Sequence, residues 1–449
     1  MYYIILLLIM LIFLGVLAYL FNNKDVISAW LIGIGMFCFS LIVCLLNIDK
    51  WNVEILPLTV IVIFSAFIFW GLGDVFAKSI YKVINHTSSK TIKSAKIKAL
   101  DIQKTITLIL SFIMFIVLIY YFRYIYQISL IAGNTGGYND MFKYARYAVI
   151  NTKYNIDMPF VLSHLLLISK CIAYIYIFVL VYNKFYFKIV DFVGFLPIGV
   201  YVAQISISTA RIDFIRLTTY TLMLVFILWK KNNSWSNRLD WKIVSYGASG
   251  IILFLLVFRL LGFLTTKTDS RELWDDISIY MGSSIVGLNQ YLDSFHSSND
   301  FFGKETLYNI YKILRKINLV SIPEYNTPLE FLYFNGSRTN IYTSFRRYIQ
   351  DYNYIGLYFI LFFQGYFYSF WIENIKRKKV SGFSIMLLCS IFYPVVEISL
   401  DEQFISNIFS LTTFYQSIYL AMLYYLLIGK DRYFSTEIVD FYEVRGKNY

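Results

Sequence analysis

Five arginines have the side-chain type and the positions needed to bind phosphate groups at a membrane surface. A guanidinium group is permanently charged and donates two parallel N–H groups to phosphate oxygens. Two of the arginines lie in the segment STARIDFIR and three in GSRTNIYTSFRRYIQD; they are Arg211, Arg216, Arg338, Arg346 and Arg347. We predict that they form an anion site. The alternative is that each is an ordinary charge of a long connecting loop.

Carboxylates in the same part of the chain offer a second kind of chemistry. Glu397 lies near the end of a hydrophobic segment, and Asp401 and Glu402 follow it in SLDEQFISN. A carboxylate within hydrogen-bonding distance of a hydroxyl group can accept its proton as a general base. Ion pairing with the arginines is the alternative, and it is the commoner role of such groups.

The elements that must position these side chains are membrane helices. Of the 449 residues, 58% are hydrophobic and 15% are charged, and the mean hydropathy is +0.59, which does not fit a protein with a fully water-exposed surface. Hydrophobic segments of about 20 residues, the length that crosses a bilayer as a helix, recur along the chain. We predict about eleven spans, at 2–21, 26–47, 55–77, 105–127, 159–182, 189–207, 214–230, 242–264, 354–374, 383–399 and 411–429.

The distribution of basic residues predicts the orientation of these spans. The connection 78–104 has seven lysines against the single acid Asp101, and basic residues also dominate 183–188, 230–242, 375–380 and the C-terminal tail. Cytoplasmic connections are enriched in Lys and Arg. The N-terminus is therefore predicted outside and the C-terminus in the cytoplasm. The net charge of +12 is attributed to this topology and not to nucleic-acid binding.

One outer connection, 265–353, is by far the longest and is predicted to be partly helical. Apolar residues recur in it at helical spacing from Ile277 to Leu292, which predicts an amphipathic helix on the membrane surface, and a second helix is expected near 305–317. The predicted organisation is a membrane domain over 1–264, this outer loop, membrane helices over 354–429 and a cytoplasmic tail over 430–449.

Charged residues within the spans are few. The charged residues identified there are Lys170, Asp191, Arg259 and Glu397. An intramembrane charge is a functional candidate, but helix capping or snorkelling of the side chain accounts for the first three. The four cysteines and three histidines are scattered, so neither a disulfide framework nor a metal site is predicted.

Three segments resemble those of bacterial oligosaccharide repeat unit polymerases, the Wzy type that builds O-antigens and capsules. They are SISTARIDFIRLTTYTL, IYMGSSIVGLNQYLDSF and GSRTNIYTSFRRYIQDYNYIGLY. The hydrophobic topology, with a large outer loop late in the chain, is similar throughout. The resemblance implies an all-α polytopic membrane fold that is GT-C-like, with the large loop between the eighth and ninth helices.

The resemblance implies a metal-independent glycosyltransferase that uses neither a nucleotide sugar nor a cofactor. Donor and acceptor would both be repeat units linked to undecaprenyl diphosphate, at the outer face of the bacterial cytoplasmic membrane. The growing chain would pass from its diphosphate carrier to a hydroxyl group of the next unit, and undecaprenyl diphosphate would leave. Besides the bilayer, a flippase and a chain-length regulator would be the partners.

The resemblance also implies roles for individual residues. Arginines would stabilise the negative charge that develops on the leaving diphosphate, with Arg211 and Arg338 as first choices before Arg346, Arg347 and Arg216. Asp351 is the first choice for the general base, and the other acids considered are Asp213, Asp293, Glu397 and Asp401. The residues expected to orient the acceptor or to line its cleft are Asn340, Tyr342, Thr343, Tyr280, Asn289 and Asp293.

Three other functions are compatible with the same segments. An O-antigen ligase-like transferase would differ in its acceptor and would be expected to have a histidine in the outer loop, where His296 lies. A flippase or transporter of the lipid-linked oligosaccharide usually has short loops and repeated halves, so the loop 265–353 counts against it. A non-catalytic membrane scaffold is the last alternative.

Overall fold

The structure is a computed structural model that describes residues 1–86, 98–138, 140–150, 158–208, 212–235, 245, 273–294, 301–322, 329–377, 379–429 and 434–435. Most of the regular structure in these residues is helical, and eight helical segments are long and apolar enough to cross a membrane. Seven are single helices, and the eighth, Gly382–Ser399, consists of two helices and a turn. The predicted class, an all-α polytopic membrane protein, is confirmed.

The described residues of the first half form nine helices. They are α1 (Tyr2–Phe21), α2 (Ala29–Leu46), α3 (Ile48–Trp51), α4 (Pro57–His86), α5 (Lys104–Ile131), α6 (Met141–Ile150), α7 (Phe160–Phe187), α8 (Phe195–Ile207) and α9 (Ile212–Asn232). The predicted span 189–207 becomes the shorter α8, which has 13 residues. The predicted span 242–264 and Arg259 lie outside the described residues.

The described residues of the second half form two small sheets besides their helices. The elements are α10 (Leu273–Asp293), α11 (Tyr308–Lys316), β1 (Leu332–Phe334), β2 (Ser337–Thr339), α12 (Ser344–Lys376), β3 (Lys379–Val380), α13 (Gly382–Ser390), α14 (Tyr393–Val396), a turn at Glu397–Ser399, another at Phe404–Ile408, α15 (Leu411–Leu427) and β4 (Phe434–Ser435). Strands β1 and β2 form an antiparallel hairpin, and β3 pairs with β4.

Helix α12 begins earlier than predicted, because hydropathy does not reveal its first turns. The helix is interrupted at Asn353, whose φ is 59° and ψ is −170°. The apolar part after this kink corresponds to the predicted span 354–374. The polar part before it, which was predicted as loop, carries Arg346, Arg347 and Asp351 on a helix.

Helix α10 is the amphipathic helix predicted from Ile277 to Leu292, but it is buried and does not lie open on one side. Its Gly282 packs against the backbone of α2, where a Cβ atom would meet Cys44, and its Gly287 packs against Ile341. Ile285 and Leu288 are fully buried. Helix α10 is therefore held between α2 and the chain that follows the β1–β2 hairpin.

The chain divides into two compact units. Unit 1 comprises Met1–Ser89, Ser270–Glu373 and Ile391–Phe414, and unit 2 comprises Lys90–Asp269, Asn374–Ser390 and Tyr415–Tyr449. The predicted outer loop thus belongs to the same unit as the first membrane helices.

Helices α2 and α4 of unit 1 approach each other closely through two reciprocal contacts. The Trp70 ring of α4 lies against Gly33 of α2, and the Trp30 ring of α2 lies against Gly71 of α4. A Cβ atom at either glycine would overlap the indole ring. Small residues at such points let membrane helices pack at short range.

Asp74 on α4 is a buried charge in a predicted span that the sequence analysis omitted. Its carboxylate accepts a hydrogen bond from Ser369 of α12 and forms an ion pair with Lys78, one turn further along α4. A charge that is 1% exposed in a membrane helix requires such partners. Asp74 therefore joins α4 to α12 within unit 1.

Two of the predicted intramembrane charges have local contacts in unit 2. Asp191 accepts a hydrogen bond from the N–H of Val193 at 3.1 Å in the turn ahead of α8. The N-cap of α8 is Gly194 and no side chain caps this helix, so the capping interpretation of Asp191 is wrong. The Lys170 ammonium lies 5.5 Å from the ring centroid of Tyr174, which in turn stacks on Tyr220 at 3.9 Å.

Candidate functional site

A buried set of ion pairs lies at the start of α12 in unit 1. Arg346 is 5% exposed and pairs with Glu305 and with Glu330, whose Oε1 atom lies 3.0 Å from Nη2. The guanidinium also lies over the rings of Tyr291 and Tyr342, with centroids 4.9 and 5.4 Å away. A cation removed from water needs such partners, because its desolvation is costly.

The neighbouring Arg347 extends the set to a third carboxylate. Its Nε atom donates to Asp401 at 2.9 Å, and its Nη1 atom lies 3.5 Å from Oε2 of Glu305. Glu305 therefore bridges both guanidinium groups. We call Arg346, Arg347, Glu305, Glu330 and Asp401 the arginine network.

The two carboxylates that pair with Arg346 have pKa values shifted in opposite directions, because the two side chains differ in exposure. Burial raises the pKa of Glu305, whose side chain is 17% exposed, against the opposing effect of Arg346 and Arg347. Burial acts in the same direction on Glu330, but that side chain is 58% exposed. There the charge of Arg346 and the hydrogen bonds from Arg346 and Tyr342 prevail, so the pKa of Glu330 is lowered.

Asp351, the first choice for the general base, anchors the chain ahead of α11. Its carboxylate accepts hydrogen bonds from the backbone N–H groups of Glu305 and Thr306, at 3.1 and 2.7 Å, and from Oγ1 of Thr306 at 2.7 Å. Both carboxylate oxygens take part. This geometry gives Asp351 a structural role, and its catalytic role stays a prediction.

The acids after α14 are mostly removed from the surface. Glu397 is 1% exposed. Glu402 accepts hydrogen bonds from the Tyr348 hydroxyl at 3.1 Å and from the backbone N–H groups of Ile405 and Ser406 at 2.6 and 3.1 Å. Burial raises the pKa of Glu402. Asp401 is paired with Arg347, and Glu402 binds the backbone of its own loop. The observed contacts of these two acids are therefore structural.

A cleft of about 440 Å³ opens elsewhere in unit 1, between the connection that follows α3, the end of α10 and the β1–β2 hairpin. We call it the Trp51 cleft. Its aromatic lining is Trp51 and Phe334, its carboxylates are Glu54 and Asp293, and its amides are Asn52, Asn289, Gln290 and Asn335.

Asn289 fixes one wall of the Trp51 cleft. Its Oδ1 atom accepts hydrogen bonds from the N–H of Leu56 and from Oγ1 of Thr59, and its Nδ2 atom donates to the Glu54 carbonyl, all at 2.8 Å. The predicted substrate residue thus lines the cleft, but these three bonds use its amide to hold the connection after α3. Asp293, one turn further along α10, also lines the cleft, and its side chain is exposed.

The tip of the β1–β2 hairpin fixes the opposite wall. Asn335 donates a hydrogen bond to the Lys50 carbonyl at 2.6 Å, and the Phe334 ring meets Trp51 edge-to-face with centroids 5.5 Å apart. The Asn335–Gly336 turn has positive φ angles of 36° and 76°. An Asn-Gly pair favours this turn, because both residues adopt positive φ readily.

Arg338 lies on the second strand of this hairpin and is exposed. It is opposite Tyr333 in the register, and its guanidinium lies 5.5 Å from the Phe331 ring centroid. The hairpin therefore carries an exposed cation on β2 and two lining residues of the Trp51 cleft at the end of β1 and in the turn.

The remaining predicted arginines lie elsewhere. Arg216 is half-buried on α9 in unit 2, and Asp213 lies one turn before it. Arg211 and His296 lie outside the described residues. The predicted convergence of Arg211 with Arg338 therefore stays a prediction.

Four of the six predicted substrate residues do not line the Trp51 cleft. Tyr280 and Asn340 are half-buried, and Thr343 is fully buried. Tyr342 is 1% exposed, and its ring lies beside Arg346 in the arginine network.

Sequence patterns did not predict Trp51, Glu54, Phe334 and Asn335 in the cleft, or Glu305 and Glu330 in the network. A signal for the cleft was present: the short predicted outer connection contains DKWNVE, and the sequence YFNGSRT has the Asn-Gly pair typical of a hairpin. Within the part of the chain that the structure describes, no group of three or more His, Cys, Asp or Glu residues is arranged to hold a metal ion.

Replacement of Arg346 by Met should destabilise unit 1. Loss of one partner of a buried ion pair typically costs about 3–5 kcal/mol, because the other charges stay buried. Arg338→Met, at an exposed position, is the matched control and should change stability by roughly 0.5 kcal/mol or less. Thermal unfolding of the purified protein in detergent measures both, and equal effects of the two substitutions would contradict the proposed role of the network.

Acidification should loosen the segment that carries Glu330. The pKa of Glu330 is lower in the folded protein than its ordinary value of about 4.3. The ion pair with Arg346 therefore stabilises the folded state fully at pH values above about 4.3. This stabilisation is lost as the pH falls through the lower pKa of the folded state. The protection factors of residues 329–343 in hydrogen exchange, which correct for the slower intrinsic exchange of amides in acid, should therefore fall in that acidic range. Glu330→Gln should have lower protection factors at neutral pH and a smaller fall on acidification; the same acid response in both proteins would argue against the assignment.

Comparison of the chain with protein family models, with curated proteins and with solved structures gives no match. The functional assignment therefore rests on the residues and the geometry of this chain.

Proposed function

We propose that the protein is a membrane glycosyltransferase that polymerises undecaprenyl-diphosphate-linked oligosaccharide repeat units into O-antigen or capsular polysaccharide. The observation that carries the proposal is the β1–β2 hairpin, which combines the exposed Arg338 with Phe334 and Asn335 of the Trp51 cleft. A transferase of this kind needs a cation for the diphosphate of the carrier and a polar, partly aromatic cleft for the sugar. The hairpin supplies the cation and two of the residues that line the cleft.

The lining of the cleft has the chemistry that a saccharide requires. Aromatic rings such as Trp51 and Phe334 pack against the apolar C–H face of a sugar ring, and amide and carboxylate groups bind its hydroxyls. The cleft is held in shape by Asn289 and by Asn335. A cleft that is formed before the ligand arrives loses less entropy on binding.

In the proposed reaction, the bond between the anomeric carbon of the donor and its diphosphate oxygen breaks, and a bond to the acceptor hydroxyl oxygen forms. The hydroxyl proton passes to a carboxylate, and undecaprenyl diphosphate leaves with the electron pair. Arg338 is assigned to the developing charge on the diphosphate, because an exposed guanidinium can form a bidentate pair there.

Asp293 is the best-placed acid for proton transfer among the five that were considered. It is exposed and lines the Trp51 cleft. Asp351 is bound to the backbone at 305–306, Asp401 is paired with Arg347, and Glu397 is buried. Asp213 lies in unit 2. We therefore assign the general base to Asp293 in preference to Asp351.

The orientation that this function requires follows the distribution of basic residues. The lysine-rich connection 78–104 would lie in the cytoplasm, and the large loop at the outer face of the bacterial cytoplasmic membrane. In that orientation the connection after α3 and the β1–β2 hairpin share the outer side, where lipid-linked repeat units are joined.

Substitution of Arg338 by Ala, or of Asp293 by Asn, in the source strain should abolish the long polysaccharide ladder on a gel and leave single-unit material. Loss of one electrostatic contact to the transition state typically lowers the rate by about 10²–10³-fold. Lys316→Ala, at an exposed position on α11, is the control and should keep the ladder.

Protein levels of all variants must be equal for this comparison. An unchanged ladder in both site variants would rule out the assigned site. Loss of single-unit material as well would favour a flippase or a ligase.

A further inference from the structure

The Trp51 cleft is acidic. Its two charged lining residues, Glu54 and Asp293, are both carboxylates with exposed side chains. The nearby Lys50 does not offset them, because its ammonium is paired with Asp275 on α10. The cleft therefore presents negative charge to any ligand that enters.

The backbone positions of the two acidic residues are set by the same contacts that shape the cleft. Asn289 binds the backbone carbonyl of Glu54, and Asp293 follows Asn289 by one turn of α10. Both acids thus belong to the wall that Asn289 holds, and the hairpin contributes Phe334 and Asn335 to the opposite wall. The aromatic pair of Trp51 and Phe334 belongs to the same enclosure.

We propose that the Trp51 cleft binds a sugar residue that is uncharged or carries an amino group, and that it rejects uronic acids and the diphosphate of the lipid carrier. This inference rests on the proposed function and names the class of sugar that its cleft accepts. An anionic group would face two carboxylates without a compensating cation from the lining. An ammonium group would gain from both.

The negative charge of the cleft and the positive charge of Arg338 would orient the bound substrate. The sugar occupies the acidic cleft, and the diphosphate of a lipid carrier lies outside it, on the side of Arg338. Because Phe334 and Asn335 line the cleft and Arg338 is on the paired strand, the β1–β2 hairpin lies at the border between the two sites.

The test is ligand-observed NMR with the full-length protein in lipid nanodiscs. The probes are two series that differ only in charge: glucosamine, glucose and glucuronic acid, and galactosamine, galactose and galacturonic acid. Exposed ion pairs contribute a few-fold each to affinity, so the amino sugar should bind roughly tenfold more tightly than the uronic acid of its series. Inorganic pyrophosphate should not displace a bound amino sugar.

The variant Glu54→Gln with Asp293→Asn separates charge from shape. The uncharged sugar should bind to it about as tightly as to the wild-type protein, and the difference between amino sugar and uronic acid should disappear. A uronic acid that binds the wild-type protein as tightly as the amino sugar would overturn the proposal, as would the absence of binding in both series.

These measurements involve no transfer reaction, so they are independent of the polymerase assignment. Selective binding together with an unchanged ladder in the Arg338 and Asp293 variants would refute the polymerase site and keep the cleft. Loss of the ladder in those variants without charge-selective binding would refute the proposal on the cleft and leave the polymerase site standing.

Discussion

The burial of two adjacent arginines at the start of α12 is the constraint on which the loop structure of unit 1 depends. A cation removed from water loses several kcal/mol of hydration, and only well-placed carboxylates offset that loss. Arg346 and Arg347 take their partners from three separate segments, at Glu305, Glu330 and Asp401. The chain between α10 and α12 must therefore fold back on the membrane helix, and Asp351 secures it at Thr306.

Helix α10 contributes side chains that contact the arginine network and side chains that line the Trp51 cleft of unit 1. Its Tyr291 lies under Arg346, while Asn289 and Asp293, on another face of the same helix, line the cleft. Arg346 and Arg347, two of the five arginines predicted to bind phosphate, are thus engaged with carboxylates. The arginine proposed to bind the diphosphate is therefore Arg338, which lies exposed on the hairpin.

Hydropathy predicted most membrane spans because burial in lipid depends on the sum of many apolar residues. A mean over many residues does not reveal Asp74, a single acid in an apolar segment. It also does not reveal the first turns of α12 as helix, because Arg346 and Arg347 lower the mean hydropathy there. The partners of those arginines could not be predicted, since Glu305 precedes Arg346 by 41 residues and no local rule relates them. Asn289 and Asp293, which are predicted to bind substrate, line the Trp51 cleft, and their role stays a prediction. Trp51 and Glu54 lie in a short predicted connection, and hydropathy gives no reason to select them there.

The proposed function requires that this protein itself joins lipid-linked repeat units. The direct measurement is mass spectrometry of lipid-linked products after the purified protein, in liposomes, is incubated with undecaprenyl-diphosphate-linked repeat unit from the source strain. The account predicts products longer by whole repeat units, with one undecaprenyl diphosphate released per new linkage. Folded protein that leaves the repeat unit at its original length would contradict it.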